Sequence, residues 1–249
     1  MIEELFKSLN KKELADLWPN YRKDEEKIEK FTNTNIRHAN IALNSILDMD
    51  EKKFLESLFF DEMGWYKKIN GIGMVRLKLA AMSLGLTNNI FTFEQEKEKE
   101  ILSIIQSYGH EEQCLAMRCY MKQKTVTYYT LKKYLKYVKK TDCMSLELYR
   151  GIKGKYNGQN YSHNGLECWT TNRDIAERFA SDGGYIISKS YPITQIFAGY
   201  RSTFKNKQHN IYRHNGFYVR REHEVIVENI AKEYECGSNV YTCINKDIF

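Results

Sequence analysis

Glu222 and Glu224 stand one residue apart and run directly into Val225-Ile226-Val227. The apolar run reads as a half-buried strand, along which side chains alternate at about 3.3 Å per residue, so both carboxylates point to one side, roughly 7 Å apart. Mutual repulsion and partial burial raise the proton affinity of at least one of them, which is how a carboxylate is prepared for acid/base work. A Glu-x-Glu pair is also what the solvated face of an ordinary sheet looks like, so its meaning depends on the residues that fold around it.

Two upstream segments offer such residues. Leu146-Glu147-Leu148-Tyr149-Arg150-Gly151 reads as a short strand ending in an arginine at a glycine turn. A guanidinium there suits a phosphate, because its planar fork donates two parallel hydrogen bonds. Further along, Cys168-Trp169-Thr170-Thr171-Asn172 leads into Arg173-Asp174-Ile175-Ala176-Glu177-Arg178-Phe179-Ala180. Thr170, Thr171 and Asn172 can each cap a helix, whose apolar stripe is then Ile175, Ala176, Phe179 and Ala180. Taken singly, Arg-Gly turns and threonine caps are structural features of many proteins.

In this order the three segments, which cover roughly residues 145 to 230, resemble the mono-ADP-ribosyltransferases of the arginine, Ser-Thr-Ser, Glu-x-Glu type, a family that includes bacterial toxins and phage-encoded transferases. Tyr149-Arg150-Gly151 is similar to the family's arginine strand. Ala176-Glu177-Arg178-Phe179-Ala180 is similar to its Ala-x-x-Phe-Ala helix, and Glu222-x-Glu224 with the following valines and isoleucine to its acid strand. Counting back from the helix sets Cys168-Trp169-Thr170 on Ser-Thr-Ser. The leading serine is therefore replaced, and by the resemblance its task of holding the catalytic glutamate falls to Cys168, Thr170 or Thr171, with Thr170 favoured.

The resemblance implies a site and a reaction. Glu224 corresponds to the catalytic glutamate, and Glu222 orients or deprotonates the incoming nucleophile. Thr170 orients Glu224, and Arg150 grips the phosphates of NAD⁺, the one cofactor implied, used as co-substrate. Tyr149, Gly151, Cys168 and Thr171 line the same nucleotide site. Phe217, Tyr218, Arg220 and Arg221, in the loop before the acid strand, contact the acceptor. The chemistry asks for such residues: breaking the nicotinamide glycosidic bond expels a neutral base, so no acid is needed, and a carboxylate near the ribose answers the oxocarbenium-like charge that develops.

These residues need elements to hold them. At 249 residues with 42% hydrophobic content and two prolines, the chain has ample length for a folded core. Leu5, Phe6, Leu9, Leu14 and Leu17 give a first helical stripe, ended by Trp18-Pro19. Phe54, Leu55, Leu58 and Phe59 give another, and Val75, Leu77, Leu79, Ala80 and Met82 a third, closed by Gly85. Glu96 to Lys140 reads as two or three helices; Gly71-Ile72-Gly73 reads as a turn. After Thr141 strands replace helices, separated by glycines. The expected class is α+β, a helical region followed by a mostly antiparallel β-rich transferase core with NAD⁺ in a cleft between its sheets. Residues 1–88 are an accessory helical region and residues 89–249 the catalytic domain, with helices over 89–140 and the β-rich core over 141–249.

The net charge of +6 is too mild to imply nucleic acid alone, but its distribution is uneven. Gln113 to Thr141 holds eight basic residues and no acid, namely Arg118, Lys122, Lys124, Lys132, Lys133, Lys136, Lys139 and Lys140, with five tyrosines interleaved. Gly183 to Arg221 holds seven more, again without an acid, together with Phe204, Tyr212, Phe217 and Tyr218. Such surfaces attract phosphates and stack bases, although a solvated lysine-rich helix face looks the same. They favour a nucleic-acid base as acceptor, RNA before DNA. The Glu-x-Glu form, by the resemblance, favours a protein arginine, and a small molecule or water rank lower. A non-enzymatic nucleic-acid binder and an inactive scaffold are the alternatives of another class.

Six cysteines without Cys-x-x-Cys spacing read as free thiols rather than a zinc site. His163 and His223 lie near the proposed site without a partner at catalytic spacing. No apolar stretch reaches the ~20 residues of a membrane span, and Met1-Ile2-Glu3-Glu4 does not read as a signal peptide, so a cytoplasmic location is expected. By the resemblance, an unexported transferase of this kind acts as a toxin or phage-conflict effector and is restrained by an antitoxin partner.

Overall fold

Asn10 and Asp48 each accept backbone N–H groups at a helix start, and each is answered three residues on by a glutamate that reaches back. Asn10 Oδ1 accepts from Lys12 and Glu13 while Glu13 accepts from the Asn10 N–H at 2.9 Å. Asp48 does the same for Asp50 and Glu51, and Glu51 accepts from the Asp48 N–H at 2.9 Å. These reciprocal caps satisfy donors that no intrahelical carbonyl can reach. The computed structural model describes residues 1–35, 38–59, 79–81, 83–86, 107, 109–157, 166–181, 183–199, 224–228 and 240–243, with backbone alone at 57–59, 224 and 240–243.

Five helices come first: α1 (Ile2–Leu5), α2 (Lys11–Leu17), α3 (Tyr21–Thr34), α4 (Ala39–Ile46) and α5 (Met49–Phe59). A long helix, α6 (His110–Tyr137), follows, then β1 (Ser145–Ile152), β2 (Leu166–Thr170), α7 (Arg173–Ala180), β3 (Tyr185–Pro192), a 3-10 turn (Ile193–Gln195), β4 (Ile196–Gly199), β5 (Glu224–Glu228) and β6 (Val240–Cys243). The strands form one antiparallel sheet of six in the order β4-β5-β2-β1-β3-β6. The class is thus α+β. Among the described residues no helix is long and apolar enough to cross a membrane.

From 110 to 137 the chain is one 28-residue helix, and its basic residues do not all lie on a solvated face: Lys122 and Lys124 are buried. Every residue from Cys119 to Leu131 is buried, because α3, α4 and α5 pack on α6 from one side and β4 with its preceding turn from another. Polar groups trapped there find partners. Thr125, Thr127 and Thr130 donate to the carbonyls four residues back at 2.7–3.0 Å. Lys122 Nζ meets both Glu51 carboxylate oxygens at 2.8 Å and the Ile46 carbonyl at 2.9 Å, with the Arg118 guanidinium 3.4 Å from the same carboxylate. Lys124 and the Tyr120 hydroxyl both donate to Glu228. A continuous apolar core runs from Ile2, Phe6 and Trp18 through Tyr120, Met121 and Val126 to Leu148, Phe197 and Val227. Residue 88, where the accessory region was expected to end, lies outside the described residues.

Two buried tyrosines give this core a pH signature. Burial, followed by the adjacent Glu228, pushes the Tyr120 hydroxyl well above its ordinary value of 10.0. Burial, followed by its hydrogen bond to Glu25, also raises that of Tyr129. A folded-state value above the unfolded one means the unfolded chain binds fewer protons once pH exceeds about 10, so stability declines with further rise in pH. Urea midpoints measured across this range should fall for the wild type and fall less for Tyr120→Phe/Tyr129→Phe.

Candidate functional site

The three segments singled out by their chemistry occupy neighbouring strands. β2 lies between β1 and β5, and one residue of β2, Thr170, has Cα partners on both sides: Tyr149 of β1 and Glu224 of β5. The β2–β5 ladder is regular over five positions, from Leu166↔Glu228 to Thr170↔Glu224. β1 by contrast pairs with β3 at eight positions and with β2 at one. The sheet therefore has a seam at Tyr149↔Thr170, and the described strands form one sheet where a cleft between sheets was expected.

Past that seam β2 stays paired to β5, and from β1 Arg150 reaches across to it. Its Nη1 donates to the Cys168 carbonyl at 2.5 Å. Because side chains alternate, Arg150 leaves β1 on the face opposite Tyr149, and its guanidinium clips β1 to β2 on that side. The guanidinium is half-buried. Arg150 is interior to β1, two residues short of its end, so the strand-end arginine expected from sequence is corrected.

Gly151 lies inside β1 as well, not at a turn. A Cβ there would stand 1.9 Å from the Ala176 carbonyl oxygen and 2.6 Å from the Ala180 amide. Its lack of a side chain lets α7 lie against β1, together with Tyr149, Ala176, Ala180 and Ile186. Since backbone is in the way, Gly151→Ala should cost about 3 kcal/mol or more. Thermal melting would register this as a large drop, and a melting point equal to wild type would refute the packing account.

The strand-to-helix corner is built by Thr170 and Asn172. Thr170, 5% exposed, accepts the Asn172 N–H on its hydroxyl at 3.1 Å, and Asn172 caps α7 by accepting from the Asp174 N–H at 2.9 Å. Thr171 is half-exposed beside them. Ile175, Ala176 and Ala180 are buried as their spacing predicts, but Phe179 is 41% exposed, which corrects its place in the stripe. Cys168 is a half-buried free thiol. Between it and Thr170, Trp169 packs edge-on to Tyr191 at 5.1 Å and donates to the buried Glu167 at 3.3 Å, fixing β2 from the other face. Burial, followed by a hydrogen bond with Glu147, raises the Tyr149 hydroxyl above its ordinary value and keeps it protonated.

Glu224 is described by its backbone alone. Glu222, Phe217, Tyr218, Arg220 and Arg221 lie outside the described residues, as do His163 and His223. Sequence reasoning missed the group that fixes β5: Glu228, fully buried at the far end of the strand and held by Lys124 and Tyr120 of α6. A signal was there, since Glu228 continues the even spacing of Glu222 and Glu224 into an apolar strand, where an acid requires a partner. Comparison with known family models, curated proteins and solved structures finds no match for the chain.

Proposed function

We propose that the chain is a mono-ADP-ribosyltransferase that uses NAD⁺ as co-substrate and transfers ADP-ribose to a nucleic-acid base, RNA before DNA. The observation that carries the reading is the register in which Thr170 faces both Tyr149 and Glu224 across neighbouring strands. Segments far apart in sequence, chosen for their side-chain chemistry alone, meet at one seam of one sheet.

The residues present suit the co-substrate. Arg150 is a permanent cation whose planar fork suits a pyrophosphate, and Thr170 stands directly across from the Glu224 backbone. In this reading Glu224 supplies the negative charge that opposes the positive charge developing on the nicotinamide ribose, and Glu222 orients or deprotonates the nucleophile. Tyr149, Gly151, Cys168 and Thr171 shape the surroundings of Arg150 and Thr170. Phe217, Tyr218, Arg220 and Arg221 receive the acceptor. The β-rich part is then a transferase core, the enzyme works in the cytoplasm as a toxin or phage-conflict effector, and an antitoxin protein restrains it.

Incubating the protein with NAD⁺ labelled in its adenylate moiety and a cell lysate, then treating with RNase or protease, tests the reading. Label released by RNase supports it. Label released only by protease assigns the acceptor to protein, arginine first. No transfer and no NAD⁺ loss in any lysate overturns the enzyme reading in favour of a binding protein.

A further inference from the structure

The eight cations between Gln113 and Thr141 separate into two groups. Arg118, Lys122 and Lys124 are ion-paired to Glu51 or Glu228 inside the core. The other five, Lys132, Lys133, Lys136, Lys139 and Lys140, gather at the C-terminal end of α6, and none is ion-paired with a carboxylate among the described residues. Lys136, Lys139 and Lys140 are exposed, and Lys132 and Lys133 half so. The same end presents Tyr137, 61% exposed, with the Lys133 and Lys136 ammonium groups 5.5 and 5.6 Å from its ring centroid. Lys132 lies 6.0 Å from the Tyr128 ring. One acid, Asp142, follows in the chain.

Two intramolecular explanations fall short. A helix C-terminus carries roughly half a negative charge, which rewards about one cation and not five. Lys140 is in the left-handed region, with φ of 52°, just past the last turn. Glycine fits that position without strain, so the fold itself gives no reason for a lysine there.

We propose that this end of α6 is a docking surface for single-stranded nucleic acid, in which the lysines hold successive phosphates and Tyr137 stacks a base. The proposal rests on the transferase reading for its purpose, since it would deliver the acceptor. An exposed ring flanked by ammonium groups matches single-strand binding, which combines a cationic track with aromatic platforms. An acidic polypeptide would use the charges but leave the ring idle. β1, which carries Arg150, follows α6 after seven residues, 138–144.

The test uses the full chain without NAD⁺ and a fluorescein-labelled oligouridylate, with anisotropy read at increasing KCl. Lys136→Glu/Lys139→Glu/Lys140→Glu should lower the salt slope by about 2, since single strands release about 0.7 counterion per phosphate contact. Tyr137→Ala should weaken binding about tenfold without changing that slope. Lys140→Gly should raise the melting temperature by about 2–4 °C while weakening binding, a separation that loss of folding cannot mimic. Unchanged affinity and slope in the triple variant overturn the proposal. So does polyglutamate displacing the probe as well as unlabelled oligouridylate, with Tyr137→Ala neutral, an outcome that assigns the surface to an acidic protein. NAD⁺ hydrolysis without acceptor, measured alongside, should match wild type in every variant. A wild type that binds RNA but never consumes NAD⁺ removes the transferase reading and leaves the docking surface standing.

Discussion

Glu224→Gln is expected to cut NAD⁺ turnover by roughly 10²–10³-fold, the loss typical when one preorganised electrostatic stabiliser is removed. The amide keeps the shape of the acid and can still accept a hydrogen bond, but it has no charge to set against a cationic ribose. The β2–β5 ladder is made by backbone groups, so the variant should melt with the wild type. Nicotinamide release followed by chromatography, paired with circular dichroism, separates the two effects. Turnover within a few-fold of wild type would remove Glu224 from the chemistry, and with it the strongest part of the resemblance.

The largest effect on stability should come from Lys124→Ala. Lys124 is 1% exposed and Glu228 fully buried, and their contact joins α6 to β5. Removing the ammonium leaves a carboxylate in the core with only the Tyr120 hydroxyl for support, a change that costs about 3–5 kcal/mol. Against a total stability of about 5–15 kcal/mol, this brings the chain close to unfolding. Lys124→Met/Glu228→Leu removes both charges and keeps most of the volume, and should recover most of the loss, because the expense lies in the unpaired charge. Urea midpoints for Lys124→Met, Glu228→Leu and the double form a cycle; a double as unstable as the sum of those two singles would contradict this account.

The helical front half and the β-rich back half were legible because their signals are local. Apolar residues such as Leu5, Phe6 and Leu14 mark the leading helices, although they fall on α1, its C-cap and α2 rather than on one stripe, and the alternation at Leu146 and Leu148 repeats at the strand period; all five are buried. The segments of the candidate site were also legible, since their chemistry is written in residue types. What could not be read was anything that depends on two distant segments together. The run from Gln113 to Thr141 looked like one basic surface because its partners, Glu51 and Glu228, lie 71 and 104 residues from Lys122 and Lys124. Gly151 looked like a turn because the helix that excludes its side chain comes after it in the chain. Phe179 was taken for core by its spacing, yet α7 rests on small residues, Ala176 and Ala180, and a narrow contact leaves the ring outside.

The position of α6 also bears on how the protein can be cut. Its flanks are covered on one side by α3, α4 and α5 and on another by β4, and Lys122 bonds to Glu51 and the Ile46 carbonyl, both from the first 59 residues. A shortened version beginning near residue 89 would strip those covers, leaving an ammonium group without its counter-ion and a broad oily flank in water. Such a fragment is expected to collect in inclusion bodies, whereas the intact chain should unfold as a single calorimetric unit. Any attempt to isolate the β-rich half should carry the leading helices with it.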